Sequence, residues 1–569
     1  MKRLFDDHYI RHSVELSGAW KFLIDPQKTG ESEGWTKNLP AAETVTVPSV
    51  WNNEIGLLTY EGAGWYERTF YTEGGTLLFE FESVMTLADV WLDGVKLGTH
   101  YGAFSQFELI AHGVTEGVHT LTVRADSTVD KQSIPQKKVD WFNYGGIARP
   151  VYVDTLNGVS ILTNHIKYEL SEDLQSADVW ADTELYNATD GVLETALEIR
   201  VGDTKIYGGS VSLEPREKKI ITTPVYRMDN ISLWSCETPK LYTVMAKTDT
   251  DDLIDRIGFR KIENKDGRIL LNGRAIELLG VNRHEECPEW GFAFPPKLMK
   301  KDIDIILDLG CNTVRGAHYP QSRIFVDMLD ERGLLFWSEI PIWGGGFDDT
   351  ALTDPVVVER GLDMHREMAK YYYNHPSIII WGIHNEIYTV YPCTYGISKQ
   401  YSEYLREKGG NRLITHAAAF PFQDDSFEFD DIICINMYKG WYNGNFGEWD
   451  KFIEEFDEHR KKTGQEHKAV ILSEFGGGAL YGYRDYFDRM RWSEEYQTDL
   501  LTYCLELFHR TDYIQGFYIW QFANIRTYPD MDLNRVRCYN NKGILDEHRC
   551  PKEAYHRVKE LYRRFANEK

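Results

Sequence analysis

The chain has 569 residues, enough for about three to four domains at roughly 150 residues each, with barrels allowed to run larger. Its 42% apolar and 27% charged residues are a globular composition and exclude a disordered chain. With 63 basic and 88 acidic residues the formal charge is −25, which argues against nucleic acid or an anionic membrane surface as partner.

No apolar run approaches the roughly 18 residues of a membrane span, and Met1–Gly18 lacks the apolar stretch of a signal peptide. The eight cysteines are scattered, with no Cys-x-x-Cys pair and no metal-ligand spacing. These features fit a reduced, cytoplasmic protein without a metal or cofactor. The 16 Trp, 34 Tyr and 27 Phe mostly supply core area, with stacking platforms for sugar rings as the second reading.

Residues 1–157 read as short alternating strands with Gly and Asp turns, such as Leu77–Phe81, Ala88–Leu92 before Asp93-Gly94, and His119–Val123. That spacing predicts an antiparallel sandwich. Residues 158–258 continue the pattern with Asp178–Ala181, Leu197–Val201 and Lys219–Thr222, which suits a second, immunoglobulin-like sandwich. From about residue 259 strands alternate with helical patterns. Eight strands are expected, at Ile276–Asn282, Asn312–Ala317, Leu334–Ile340, Ile378–Glu386, Leu413–Ala417, Ile432–Tyr438, Ala469–Glu474 and Ile514–Gln521. Helices are expected at Pro296–Leu309, near Val356–Tyr373 and at Glu494–Arg510. Apolar strands joined by helices imply a parallel sheet covered on both faces, and eight units fit a closed (β/α)8 TIM barrel over 259–569. An open doubly wound sheet is the alternative. It is disfavoured because no Gly-x-Gly-x-x-Gly follows a first strand and no Walker loop occurs.

In such a barrel the chemistry belongs at the C-terminal strand ends. Strand four ends in His384-Asn385-Glu386 and strand seven in Ser473-Glu474-Phe475-Gly476. Strand three ends in Glu339, strand two runs through Arg315 to His318, and strand eight ends in Trp520-Gln521. Glu386 emerges at the rim of the core after the apolar run Ile378–Ile383, so burial and its neighbours could leave it a proton donor near neutral pH. Two carboxylates in distinct environments across a pocket are what glycoside hydrolysis needs. The plainer alternative is that each carboxylate salt-bridges an arginine to close the barrel top. No Gly-x-Ser-x-Gly elbow, His-x-His pair or His-Glu-x-x-His motif occurs, which disfavours serine-hydrolase and mononuclear metal chemistry. His284 and His318 are read as hydrogen-bonding residues of a polar pocket.

Taken together, these motifs resemble glycoside hydrolase family 2 over nearly the whole chain. The resemblance rests on Leu16–Phe22, Val90–Gly94, Trp141–Ile147 with Arg149, and Leu233-Trp234 with Pro239 and Leu241-Tyr242. It extends through Gly258–Arg260, Gly280–Glu285, and Arg315 with His318-Tyr319-Pro320. It implies a jelly-roll-like, sugar-binding-like sandwich at 1–157, an immunoglobulin-like sandwich at 158–258 and a catalytic barrel at 259–569. It also implies a retaining exo-β-D-glucuronidase, in which Glu386 is the acid/base, Glu474 the nucleophile and Asn385 the partner of the sugar 2-hydroxyl. Retention places the carboxyl groups about 5 to 5.5 Å apart. Many members have Pro where Ile387 stands and Tyr where Phe475 stands; both catalytic carboxylates are retained.

Substrate choice requires a charge argument. A glucuronide carries a carboxylate at C6, so its site needs fixed donors and positive charge. The resemblance assigns this to the Asn-x-Lys pair Asn540 and Lys542, with Arg535 and Arg537 adding charge. By pattern alone Asn540-Asn541-Lys542-Gly543 is equally good turn chemistry. The resemblance further assigns Asn436, Tyr438 and Tyr442 to the segment after strand six, with Tyr438 orienting the nucleophile. It places Asp140 reaching from the first sandwich to a sugar hydroxyl, His318 among the substrate-binding residues and Trp520 on the sugar-site floor. Pro341–Asp349 leads quickly into the next helix, which implies no long aglycone-covering loop and an open mouth. The end at Lys569 implies no C-terminal accessory domain, and a homo-oligomer, tetramer or dimer, is implied by analogy alone. β-Galactosidase or β-galacturonidase activity is the nearest alternative, since a galacturonide keeps the C6 carboxylate. A non-catalytic carbohydrate-binding protein is the alternative from another class.

Overall fold

The computed structural model describes residues 2–137, 139–344, 347–529 and 535–568. The first sandwich packs a four-stranded antiparallel sheet, in the order His12–Glu15, Val151–Leu156, Gly75–Phe81 and Phe107–Val114, against a six-stranded one. The six-stranded sheet contains Gly18–Asp25, Ala63–Thr72, Gly117–Asp126 and Leu87–Leu92. Alternation sets its faces: Val123 pairs with Tyr66 on one side and Val90 on the other, and all three are buried in a core with Trp20, Phe79 and Phe81. The second sandwich follows the same logic. Ala177, Val179 and Ala181 point inward from Ser176–Asn187 to meet Leu197, Ile199 and Val244 of the opposing sheet.

A short hairpin, Ile262–Lys265 with Arg268–Leu271, enters the barrel. Its Ile262, Ile269 and Leu271 join Leu278, Leu335, Ile379, Ile432 and Ile471, all at the beginnings of barrel strands. The N-terminal end of the barrel is therefore plugged with apolar side chains, which leaves the other end for polar groups.

Eight parallel strands close the barrel: β1 (Leu278–Arg283), β2 (Thr313–Gly316), β3 (Leu335–Glu339), β4 (Ile378–Asn385), β5 (Leu413–Ala418), β6 (Ile433–Asn436), β7 (Val470–Phe475) and β8 (Ile514–Ile519). The expected strands lie at these places, with ends shifted by one or two residues. Glu386 and Trp520 fall one residue beyond their strands. The covering helices include α1 (Pro296–Leu309), α2 (Pro355–Tyr372), α3 (Glu494–His509) and α4 (Glu553–Glu568). Helix α1 starts with Pro at its first turn and stops at Gly310, whose φ of 95° is left-handed. The loop after β3 runs through Trp343 and Gly344 to a short helix at Asp349–Thr353; Gly345 and Gly346, part of the expected open mouth, lie outside the described residues.

Candidate active site

At the C-terminal ends of the strands lies a cavity of about 370 Å³ lined by Asp140, Trp343, Glu386, Asn436, Tyr438, Tyr442, Glu474, Trp520 and Lys542, with Ala419, Met437 and Asn443. All but Asp140 come from the barrel. Asp140 is delivered by the first sandwich, just before Trp141, whose ring packs against His284, His318 and Trp343.

Arg315 on β2 is fully buried and organises the layer beneath the cavity. Its guanidinium donates to both oxygens of Glu339 at 2.9 Å, to Glu474 Oε1 at 2.8 Å, to Asn385 Oδ1 at 2.7 Å and to Asn282 Oδ1 at 3.0 Å. β2 and β7 are not neighbours, so only closure of the barrel brings Arg315 to Glu474. Burial pushes Glu339 up, but Arg315 and His318 outweigh it and hold its carboxyl below the ordinary range. His318 lies 2.7 Å from Glu339 through Nδ1 and stacks on Trp520 at 5.0 Å between centroids.

The two cavity carboxylates have different surroundings. Glu474 accepts from Arg315 and, at 2.6 Å, from the Tyr438 hydroxyl. Burial and the charges of Glu474 and Glu386 push the Tyr438 phenol well above its ordinary value, so it remains a donor. Glu386 accepts at Oε1 from Asn436 Nδ2, 2.8 Å away. Asn436 cannot turn round, because its own Oδ1 accepts from Ser473 Oγ at 2.7 Å. Burial first, and the nearby Glu474 second, raise the Glu386 pKa to about 8. Its backbone holds a left-handed φ of 50°, unusual for a residue with a side chain. The β3 loop fixes this turn from the other side. A Cβ on Gly344 would stand 1.6 Å from the Glu386 carbonyl oxygen, so only glycine fits there.

Among the described residues, the far wall contains one cation. Lys542 is 2% exposed, donates to the Tyr442 hydroxyl at 2.6 Å and lies over the rings of Tyr442 and Tyr438. Among the described residues no carboxylate stands within ion-pair distance of it. The arginines correct the expectation of a cationic cluster. Arg535 is spent on a bidentate pair with Asp140, at 2.5 and 2.7 Å, and Arg537 turns outward to Glu547. A guanidinium fork matched to a carboxylate within reach pairs with it.

Three expected site residues lie behind the lining rather than in it. Asn385 is fully buried, its Oδ1 taken by Arg315 and Asn436 and its Nδ2 without a protein partner. Asn540 donates Nδ2 to Asp140 Oδ2 at 2.7 Å, and His318 serves Glu339. The sequence reading left Arg315 and Glu339 without roles, although opposite charges ending adjacent strands was the available signal. Trp343, Met437 and Asn443 carried none. Among the described residues two groups could offer three atoms to a metal ion, His8 with Asp251 and Asp252, and Asp327 with Asp330 and His375. Neither borders the cavity, and the first is already paired with Arg11, the second with Arg3.

The family models match along the chain as glycosyl hydrolases family 2, sugar binding domain (residues 14–156), glycosyl hydrolases family 2 (159–260) and glycosyl hydrolases family 2, TIM barrel domain (262–567). A putative β-glucuronidase of Formosa agariphila is 27% identical over 97% of this chain and 70% of its own. A β-galactosidase of Thermoanaerobacterium thermosulfurigenes is 29% identical over 96% and 75%. The structure of a family 2 β-galacturonidase from Eisenbergiella tayi bound to galacturonate superposes with a TM-score of 0.92 at 32% identity, covering 99% of both chains. The chain, two β-sandwiches and a barrel with paired carboxylates at its open end, belongs to glycoside hydrolase family 2 and is a glycoside hydrolase.

Proposed function

We propose that the chain is a retaining exo-β-D-glucuronidase, with Glu386 as acid/base and Glu474 as nucleophile. The observation that carries the uronate assignment is Lys542. A buried ammonium with three donors has one acceptor, the Tyr442 hydroxyl, and among the described residues no carboxylate partner. An unpaired buried cation is costly, and a C6 carboxylate entering the cavity supplies the missing charge. Asn540 acts through Asp140, holding that carboxylate toward the sugar.

The chemistry follows from the surroundings of the two acids. With a pKa of about 8, Glu386 is protonated at neutral pH. Asn436 occupies Oε1, so the proton resides on Oε2 and passes to the leaving oxygen. Glu474, paired with Arg315 and oriented by Tyr438, attacks the anomeric carbon as the bond to the leaving group breaks. Glu386, now a carboxylate, takes a proton from water, whose oxygen displaces Glu474. Asn385 Nδ2, without a hydrogen-bond partner among the described residues, is the donor assigned to the 2-hydroxyl. The leaving group departs on the Glu386 side. A second cavity of about 530 Å³ adjoins the first across Ala419 and Met437, lined by Phe420, Phe422 and Phe452 together with the charged Lys439, Glu448, Lys451 and Glu455. Its phenylalanines suit an aryl aglycone, and its charged side chains suit polar substituents on that ring.

A β-galacturonidase is the second reading, favoured by the 32% identical structure holding galacturonate. The two substrates differ at C4, which Lys542 does not read. Rates on p-nitrophenyl β-D-glucuronide, β-D-galacturonide and β-D-galactoside decide among them. The proposal expects the glucuronide to be fastest and Lys542→Met to cost uronides at least about tenfold, the low end for a charged hydrogen bond, with little effect on the galactoside. A faster galacturonide selects the second reading, and equal losses on all three remove the uronate assignment. The eight unpaired cysteines support a reducing, cytoplasmic setting. A dimer or tetramer remains part of the same reading, checked by native mass.

A further inference from the structure

Lys552 is fully buried immediately before α4, far from any role in the chemistry above. Its three N–H groups are shared among four neutral oxygens: Gly543 O at 2.7 Å, Ala479 O at 2.8 Å, Asn524 Oδ1 at 2.9 Å and Asn541 O at 3.0 Å. Among the described residues no carboxylate contacts it. Burial drags its pKa down to about 7, so the cage works against a real desolvation cost. A structural staple through an apolar contact or an amide would avoid that cost.

The four oxygens are informative. Asn541 and Gly543 flank Lys542 on either side. Ala479 lies in the loop that continues β7, four residues beyond the strand that carries Glu474, and Asn524 follows β8 and Trp520. The same junction is tied by Ala479 N to Asn541 O at 3.0 Å, by Gln497 Nε2 to Gly477 O at 2.8 Å and by Gln521 N to Lys542 O at 3.1 Å. Gln497 Nε2 also reaches Lys542 O at 3.3 Å and Gly543 O at 3.2 Å, so these bonds together fix the Lys542 backbone relative to the strands that carry the nucleophile and the cavity floor.

We propose that Lys552 is a positioning residue for substrate selection: its ammonium replaces a bound cation at the centre of an oxygen cage and sets the place of Lys542 relative to Glu474. This rests on Lys542 reading the uronate. A displacement of about 1 Å at such a contact is enough to cost up to 100-fold, and only substrates that use Lys542 feel it.

The test uses the full chain with three changes: Lys552→Ala, the milder Asn524→Ala that removes one cage oxygen, and Lys542→Met as reference. Each is assayed on p-nitrophenyl β-D-glucuronide and β-D-galactoside at pH 6.5, with and without ethylammonium chloride. Lys552→Ala is expected to raise KM and lower kcat/KM on the uronide at least about tenfold, with less than a threefold change on the galactoside. Asn524→Ala is expected to lose less in the same direction. Ethylammonium should restore uronide turnover to Lys552→Ala, and tetramethylammonium, which has no N–H, should not. Equal losses on both substrates, or undiminished uronide turnover in both cage variants, overturn the proposal. Should Lys552→Ala not fold, Asn524→Ala alone decides by the same ratio. If Lys542→Met itself leaves the uronide preference intact, it is the uronate assignment that fails instead.

Discussion

The raised pKa of Glu386 makes a prediction about pH that separates a catalytic acid from a merely buried carboxyl. With a folded value of about 8, against 4.5 for an ordinary glutamate, roughly nine-tenths of the enzyme holds the proton at pH 7 and about a tenth at pH 9. For a substrate whose leaving group needs protonation, such as phenyl β-D-glucuronide, kcat/KM falls about tenfold per pH unit above roughly 8. The same shift affects stability. Between about 4.5 and 8 the folded protein binds a proton at Glu386 that the unfolded chain has released, so stability falls as pH rises through this window, by up to ~1.4 kcal/mol per unit from this group. Other buried groups titrate there too. The quantity to measure is therefore the difference in urea unfolding free energy between the parent and Glu386→Gln at pH 5, 6.5 and 8. The parent should lose stability relative to Glu386→Gln across that series. Glu386→Gln should also lose turnover of the phenyl substrate, while a dinitrophenyl glucuronide, which leaves unaided, still releases its phenol in a single burst. An alkaline limb centred below about pH 6, or parallel stability curves for the two proteins, would refute the reasoning.

Other consequences are more local. Glu474→Ala should lower turnover by on the order of 10⁴-fold or more on every substrate, and steady-state rates with the chromogenic glycosides check it. Tyr438→Phe removes a 2.6 Å charge-assisted bond to Glu474 and should reduce kcat about 10- to 100-fold with a smaller change in KM, read in the same assay. Arg315→Met leaves Glu339 and Glu474 buried without their counter-charge; a loss of about 3–5 kcal/mol in urea unfolding is expected, and a loss under 1 kcal/mol would show that the two carboxyls neutralise instead.

Much of this protein is legible in the amino-acid order. Alternation of apolar residues marks the sandwich strands, and continuous apolar runs such as Ile378–Ile383 mark strands buried on both faces. The rule that a barrel exposes its strand ends then singles out Glu386 and Glu474 before any contact is known. These are properties of one segment at a time, which is why periodicity captures them. Lys542 was legible only as one member of an Asn-x-Lys pattern that also makes a good turn.

Only the tertiary structure decides how the charges divide. Sequence puts Lys542, Arg535 and Arg537 together as a positive cluster, yet Asp140 arrives from a different domain and neutralises Arg535, leaving Lys542, among the described residues, as the cavity cation without a carboxylate partner. It likewise shows Arg315 bridging β2 to Glu339 and Glu474, and Lys552 gathering carbonyls from three separate loops. Such partners are far apart in sequence, up to 395 residues for Arg535 and Asp140, and no local pattern encodes them. Their pairing follows from closure of the barrel and docking of the sandwich against its open end. The sequence thus determines which residues reach the top of the barrel, and the assembled structure determines which of their charges remain for a substrate.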